Sequence, residues 1–580
     1  MGAFFIIGRR TGEDHDARVA AMRESLTLQG FAAPTLFQGA YGTVAVFPKQ
    51  EAGDTNCHCG ENGDFAFATG TLFYKGLYGA SALRRIVSEA DEEGFDPQAL
   101  RGAFCLVIAK PDSLRLLTDA MGTYRVYRSS DWSVISSSFL ATLASCSKPA
   151  FDTQGVYQYV FNGATFGTRT PVAEIGQLGH AEDVLIDGTV QEHRYSTPVV
   201  SGFERRTFSD HIDANISALR DWFSQLTSQF PGRIDAALSG GYDSRLILAL
   251  LRAQNEKPRL HVYGPPGDSD VRIATAIADG EGFSLYHIDK AMFAADAAST
   301  AERVQKNFRA FDGLPTDGIF DTGADLATRR ARAAGRFLQL NGGGGEIFRN
   351  FHYLPDRSYS VEEFLWSFYS QFDPAACTDR FRSDEYYQAL RTAVEHCLGR
   401  SGDRLSRWEI ELLYPYFRCS YWTGRNTSLN NRFGPMLTPF VERTTVAAAV
   451  KVPLADKQHG RFEAALIAAI DPRLARYPSA YGHDFASPPS YWRRVTDQMS
   501  LQRPASLRRF AFRIKTRMRP AVRPQSLAHE TLAKVADPAM PMMSRFFLID
   551  AVRDNAQFAR LCTLEYLSQH CSVGDAGQAR

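Results

Sequence analysis

The chain has 580 residues with a formal net charge of +1; 44% of them are hydrophobic, 22% charged and 12% aromatic. That length exceeds one ordinary core and predicts two or three globular domains, while the balanced charge predicts no bulk attraction to nucleic acid or membranes. No apolar run approaches the roughly 20 residues that a spanning helix needs. The short run in MGAFFIIGRR lacks the basic residues that precede a signal-peptide core, and Ile6 stands where a myristoylation site requires Ser or Thr. Nine cysteines, an odd number at irregular spacing, argue against a disulfide framework and make the cytoplasm the expected compartment. The Cys-His-Cys run at 57–59 has no second ligand pair at zinc-site spacing and reads as a surface loop.

Residues 1–200 read as β-rich. AFFIIG, TVAVFP, FAFATGTLFY, FCLVIA, LRLLTD and WSVISSSF are short apolar or alternating runs separated by turn residues. One longer helical pattern, GASALRRIVSEADEEG, interrupts them, and VLIDGTVQEHRY predicts a hairpin around Asp187-Gly188. From about residue 206, helical patterns such as FSDHIDANISALRDWFSQLTSQF alternate with the short strands RIDAALS, RLHVYG and SLYHID. That alternation predicts a parallel α/β sheet. Beyond residue 355 the pattern is mostly helical and rich in aromatics, and no repeat at solenoid period occurs. Between Tyr491 and Arg523 stand ten Lys or Arg against one acid, Asp497. Leu507, Phe510, Ile514 and Met518 recur there at nearly helical spacing. The segment reads either as a solvated helix flanking the core or as a docking surface for an acidic or peptide partner. The predicted organisation is 1–200, 206–480 and 481–580.

The most informative stretch is RIDAALSGGYDSRLILALLRA, residues 233–253. Ile234 to Leu238 predicts a buried strand, and Tyr242 to Ala253 a helix with Leu246, Leu250 and Leu251 inward. Gly240 and Gly241 permit positive φ and leave no Cβ to hold a ligand away. Backbone amides and the hydroxyls of Ser239 and Ser244 then gather at the positive end of a helix, an anion cradle. A carboxylate among phosphates requires a bridging cation, so Asp243 reads as a magnesium ligand. The Walker lysine is missing, which excludes a P-loop NTPase.

As S-G-G-x-D-S between strand and helix, this loop resembles the pyrophosphate loop of the N-type ATP pyrophosphatases, which cleave ATP to AMP and pyrophosphate while adenylating a substrate. The element order in HVYGPPGDSDVRIATAIADGEGFSLYHID is similar to that of asparagine synthetase. FLQLNGGGGEIFRNF resembles the family's G-E-G-x-D-E-L-F segment, and FGPMLTPFVERTTVAAAVKVP its R-V-P-F-L-D stretch. The resemblance to the asparagine synthetase-like family runs over residues 1 to about 480 and extends to β-lactam synthetases and lasso-peptide cyclases. It implies an α/β fold: an amidotransferase-type (Ntn-like) β-sandwich, then an adenine-nucleotide α-hydrolase-like parallel sheet, with 481–580 as a basic helical extension. It also implies ATP and Mg2+, a small-molecule or peptide carboxylate substrate, ammonia or an amine as nucleophile, no nucleic acid, and a homodimer among the assemblies open to it. The nucleotide-binding residues implied are Ser239, Gly240, Gly241, Asp243, Ser244, Gly343 and Gly344, with Tyr263 at the adenine. Asp243 and Glu346 are the implied metal ligands. Lys457, Glu346 and Arg425 are the implied catalytic residues, with Asn426 a further substrate contact and Lys451, His459 and Arg461 the alternatives to Lys457.

Two departures qualify the resemblance. The family's glutaminase cysteine falls on Gly2, and Cys57 is the first cysteine in the chain, so the sandwich is expected to fold without hydrolysing glutamine, as in β-lactam synthetases. The family's second metal-binding aspartate falls on Gly345, and its mechanistic glutamate, a tyrosine in β-lactam synthetases, on Gly342. Glu346, one residue further, is expected to take over the metal role. The expected activity is asparagine synthase-like, ATP-dependent amide-bond formation. Ring closure by an internal amine is the main variant, and a nucleotide-binding scaffold without turnover is the rival from another class.

Overall fold

The computed structural model describes residues 2–8, 14–51, 56–60, 63–91, 94–198, 202–292, 300–520 and 522–575. Each apolar run of the first two hundred residues forms a strand, and the strands assemble into two antiparallel sheets. The first sheet runs in the order 175–177, 127–129, 134–136, 3–7, 42–47, 35–39, and the second in the order 190–194, 182–186, 114–118, 100–109, 65–74, 57–59. Phe4, Ile6, Val44 and Val46 of one sheet share a core with Phe65, Phe67, Val107 and Leu116 of the other. Helix Asp14–Leu28 covers the outer face of the first sheet through Met22 and Leu26, and helix Ala80–Asp91 covers the second through Leu83 and Ile86. With both faces covered, a strand such as Ala3–Ile7 is buried at every position, which is why these runs are continuously apolar rather than alternating.

The hairpin forms around Asp187-Gly188, between Glu182–Ile186 and Val190–Arg194, with Gly188 at φ +96°. Cys57–Cys59 corrects its expectation: it is an edge strand pairing Cys57 with Phe67 and Cys59 with Phe65, not a loop.

The second half is built on five parallel strands in the order Leu285–Ile288, Arg259–Tyr263, Ile234–Ala237, Leu338–Leu340, Met436–Leu437. The first three in sequence are added in one direction and the last two in the other. The order therefore reverses between Ile234–Ala237 and Leu338–Leu340, the place where open α/β sheets bind their ligands. Helix Phe208–Gln229 precedes the sheet, opened by a capping box of Thr207 and Asp210. Helix Tyr242–Ala253 follows the central strand and buries Leu246, Leu250 and Leu251 as expected.

A mostly helical region follows, and the chain then turns back. Helix Asn555–Cys571 sends Arg560 to the carbonyls of Val160 (2.8 Å) and Thr316 (2.7 Å), and Gly574–Asp575 pairs in parallel with Ala150–Phe151. The basic segment forms helices Tyr491–Leu501 and Ala505–Arg517; its Ala521 lies outside the described residues. Among the described residues, no helix is long and apolar enough to cross a membrane.

Candidate functional site

Two glycine runs follow the two strands that flank the switch point. After the central strand, Gly241 caps helix Tyr242–Ala253 with φ −84° and ψ 175° and makes no side-chain cap bond. The amides of the helix's first turn thus have no side-chain partner at the cap, the usual setting for an anion. Neither Gly240 nor Gly241 adopts a positive φ, which corrects the conformational reason given for them. The requirement is steric: a Cβ on Gly240 would stand 2.8 Å from Ile273 Cδ1 and 3.0 Å from Ala480 Cβ. The loop is internally tied. The Gly240 amide donates to Asp270 Oδ1 (2.9 Å), the Gly241 amide to Ser239 Oγ (3.2 Å) and the Ser239 amide to Ser244 Oγ (3.0 Å).

The second run, Gly342–Gly345, packs on Asp243. A Cβ at Gly345 would lie 2.4 Å from Asp243 Oδ1, and one at Gly342 would lie 3.0 Å from Asp243 Cβ. An aspartate at 345, where the resemblance would put a second metal ligand, has no room beside Asp243 in this arrangement. Gly344 adopts φ +90°, the left-handed region that favours glycine, and the Gly343 amide donates to Asn341 Oδ1 (2.7 Å).

Asp243 and Glu346 are brought together around a residue absent from the expected set, Arg349. Its Nη2 lies 2.7 Å from Asp243 Oδ1 and 3.8 Å from Glu346 Oε1, and its Nε 2.9 Å from Glu463 Oε2. Tyr414 donates its hydroxyl to Glu346 from the start of a π-helical stretch, Tyr414–Thr423, inserted between helices Arg407–Leu413 and Gly424–Phe433. Such wide turns recur at functional sites. Burial drives the Asp243 carboxyl above the usual carboxylate range, and the Glu346 charge adds to this while Arg349 opposes it. Glu463 is fully buried and is pushed well above its ordinary value, by burial first and then by Asp243.

Arg349 and Glu346 stand in the wall of an open cleft, together with Tyr242, Lys457, Tyr481 and Arg493. Lys457, fully buried at its edge, pairs with Glu411 Oε2 at 3.1 Å. Burial lowers the Lys457 pKa, with Arg407 acting in the same direction against the pull of Glu411. Burial works to raise Glu411, but Arg407 and Lys457 outweigh it and leave the carboxyl at about 2. Lys457–Glu411 is therefore a charged pair held out of water beside the cleft.

No protein-family model matches the chain, and no curated protein matches it. Among solved structures it is similar to a glutamine phosphoribosylpyrophosphate amidotransferase from B. subtilis complexed with ADP and GMP, at 10% identity and a TM-score of 0.22. It is also similar to a structure of the allosteric regulatory enzyme of purine biosynthesis, at 10% identity and a TM-score of 0.21. Each match takes in 50% of this chain and 65% of the other, just under two thirds. A likeness at that level adds nothing to the strand orders above, from which the architecture is read.

The other expected residues are distributed as follows. Tyr263 ends the strand beside the central one, half-buried, with the Lys290 ammonium 5.3 Å over its ring. Arg425 is not brought to the cleft, a correction to its expected catalytic place. It is buried at the junction with the sandwich, where it donates to the carbonyls of Leu314 (3.1 Å), Phe311 (2.8 Å) and Asp312 (2.9 Å) and to the Tyr127 hydroxyl (2.6 Å). Its neighbour Asn426 accepts from Arg329 (3.2 Å). Of the alternatives to Lys457, Lys451 pairs with Glu204 (2.7 Å) and Arg461 lies over Phe208, while His459 lines the cleft and meets Asp497 (3.0 Å). Asp243 itself does not stand in the cleft wall.

Proposed function

We propose that the chain is an ATP-dependent carbon–nitrogen ligase, adenylating a carboxylate with release of pyrophosphate before an amine or ammonia displaces AMP. On this reading the sandwich is of the amidotransferase (Ntn-like) type and the parallel sheet is of the adenine-nucleotide α-hydrolase type. The observation that carries it is the pair of glycine runs after the two strands at the switch point of the parallel sheet, with Asp243 enclosed between them. The open helix cap at Gly241 suits a pyrophosphate.

Magnesium in such sites takes one or two protein carboxylates and completes its shell with phosphate and water. Among the described residues no group of three or more His, Cys, Asp or Glu is arranged for a metal, but Asp243 and Glu346 supply the two carboxylates that a nucleotide-borne ion needs. When bound, the ion neutralises charge on the β- and γ-phosphates. Arg349 holds the two carboxylates in place and yields its bond to Asp243 when the nucleotide arrives. Lys457, paired with Glu411, would be the cation that stabilises negative charge developing on the transferring group. Asparagine-type chemistry and ring closure by an internal amine share these roles.

A second reading, a nucleotide-binding scaffold, is favoured by Arg349 itself, which already meets the charge of Asp243. ATP–pyrophosphate exchange with a panel of carboxylates separates the two. The ligase should give exchange and AMP, and Glu346→Ala should cost about 2–4 kcal/mol of transition-state stabilisation, roughly thirty- to a thousandfold in rate. Stoichiometric ADP and orthophosphate would overturn the reading. Nucleotide binding with no exchange for any carboxylate selects the scaffold.

A further inference from the structure

Helix Ala505–Arg517 lies on the molecule with its basic side inward. Arg508 donates to the carbonyls of His352 (3.1 Å) and Tyr353, and Arg509 stacks over Trp366 and Tyr387 at 5.1 and 5.4 Å. Of the apolar residues Leu507, Phe510, Ile514 and Met518, Phe510 (59%) and Met518 (79%) stand well out into solvent, while Leu507 (49%) and Ile514 (43%) are about half covered. The preceding helix repeats the arrangement. Arg493 and Asp497 turn to the cleft, while Trp492, 75% exposed, and Met499, seven residues on, face solvent. A surface helix ordinarily buries its apolar stripe. Here two successive helices present large apolar side chains outward, and exposed apolar surface of this kind marks an interaction site.

The charge around the stripe identifies the partner. Of the ten basic residues between Tyr491 and Arg523, Arg493, Arg517 and Arg519 pair with Asp497, Asp373 and Asp554, and Arg508, Arg509 and Arg523 are turned onto the protein. Arg494, Arg503 and Lys515 are exposed beside the apolar residues. A second copy would set these like charges against each other. The exposed side chains are large and apolar, Tyr491, Trp492, Met499, Phe510 and Met518. The helices have 11 and 13 residues, too short to span a bilayer. Basic flanks with an aromatic and aliphatic face are the composition of helices that lie in a lipid interface.

We propose that residues 491–518 form an interfacial anchor that seats the protein on an anionic lipid surface. The apolar stripe enters the boundary between headgroups and acyl chains, and Arg494, Arg503 and Lys515 meet the lipid anions. Because Arg493 and Asp497 of the same segment line the cleft, the cleft opens beside that surface. The anchor does not depend on the chemistry of the cleft.

The test uses the full chain and vesicles of phosphatidylcholine with and without phosphatidylglycerol. Co-sedimentation with the anionic vesicles, weakened by added salt, and a blue shift of tryptophan emission are the expected results. Phe510→Ser with Met518→Ser should lower the partition coefficient about tenfold or more, with little change in melting temperature because both side chains are mostly exposed. Arg494→Glu with Lys515→Glu should abolish the preference for anionic lipid. Equal binding to both vesicle types, no binding to either, or unaltered partition of the apolar variant would overturn the proposal. So would a lipid-free dimer that the apolar variant dissolves, or saturable binding of polyglutamate without vesicle binding.

Discussion

At the scale of single residues, the cluster around Arg349 sets a pH dependence. One guanidinium faces Asp243 and Glu463, with Glu346 further off, and Glu463, without exposure, holds its proton well above the ordinary carboxylate value of 4.5. Between the unfolded and folded pKa the native chain keeps a proton that the unfolded chain has released, so stability falls as pH rises through that window. The contribution is complete below about 4.5 and is lost as pH climbs through the folded value. Glu463→Gln keeps the shape without the titration. Its melting temperature should therefore decline less than that of the unmodified chain between about pH 5 and pH 8, and parallel curves would remove Glu463 as the cause. The signal for this residue was present in the sequence: a glutamate inside the apolar helix RFEAALIAAI stands where charge is rarely buried unpaired. Arg349 was equally readable, three residues after Glu346 and so on the same side of one helical turn. What sequence could not reveal is that its guanidinium stands between carboxylates from three distant segments, because that meeting is made by tertiary folding.

At the scale of elements, the strap that follows helix Pro472–Ala475 closes over the glycine loop. The Ala480 amide donates to the Gly240 carbonyl (3.0 Å), and Arg245, buried in the helix after the loop, donates to the carbonyls of Tyr477 (2.8 Å) and Pro478 (2.7 Å) beneath the Phe485 ring. Burial lowers the Arg245 guanidinium to about 10, yet it stays charged at neutral pH and ties helix to strap. Arg245→Leu should destabilise the chain by about 2–4 kcal/mol, the range for losing charge-assisted bonds and orphaning two carbonyls. It should also speed hydrogen exchange at Ala480 well beyond the change in global stability. Exchange that rises only in step with global unfolding would mean that the strap is held by other contacts. The elements of this region were legible because continuous apolar strands alternate with helices of clear period. Helix Asp14–Leu28 was not, since only Met22 and Leu26 of its fifteen residues are buried and no stripe shows. The π-helical stretch at Tyr414–Thr423 was not legible either, because no local propensity distinguishes it from an α-helix.

At the scale of the whole molecule, the sandwich is built into the other half through buried polar bonds. Asp312 accepts from the amides of Phe139 (2.8 Å) and Leu140 (3.1 Å) and pairs with Arg432 (3.1 Å), and Arg101 bridges to Glu442 (3.0 Å) and Asp221 (2.7 Å). Position 2, where the resemblance would put a nucleophilic cysteine, belongs to this junction. The Gly2 amide donates to the Phe47 carbonyl (2.9 Å), and a Cβ there would lie 2.9 Å from Lys49 Cα, 2.9 Å from Phe31 Cε1 and 3.0 Å from Pro48 O. Lys49 is buried and reaches Asn431 (3.2 Å), which also takes the Thr71 hydroxyl (2.7 Å) and donates to the Met436 carbonyl (2.9 Å) at the edge of the parallel sheet. Any side chain at position 2 thus presses on backbone that anchors one half to the other. Gly2→Cys should therefore create no glutaminase, since the thiol has neither room to turn toward a substrate nor an open space around it. It should instead cost about 1–3 kcal/mol, the usual penalty for overpacking a filled site, visible as a lower melting temperature. Glutamate released from glutamine above background by this variant would show that the space at position 2 opens in solution, and release by the unmodified chain would show that the sandwich hydrolyses glutamine without a thiol there.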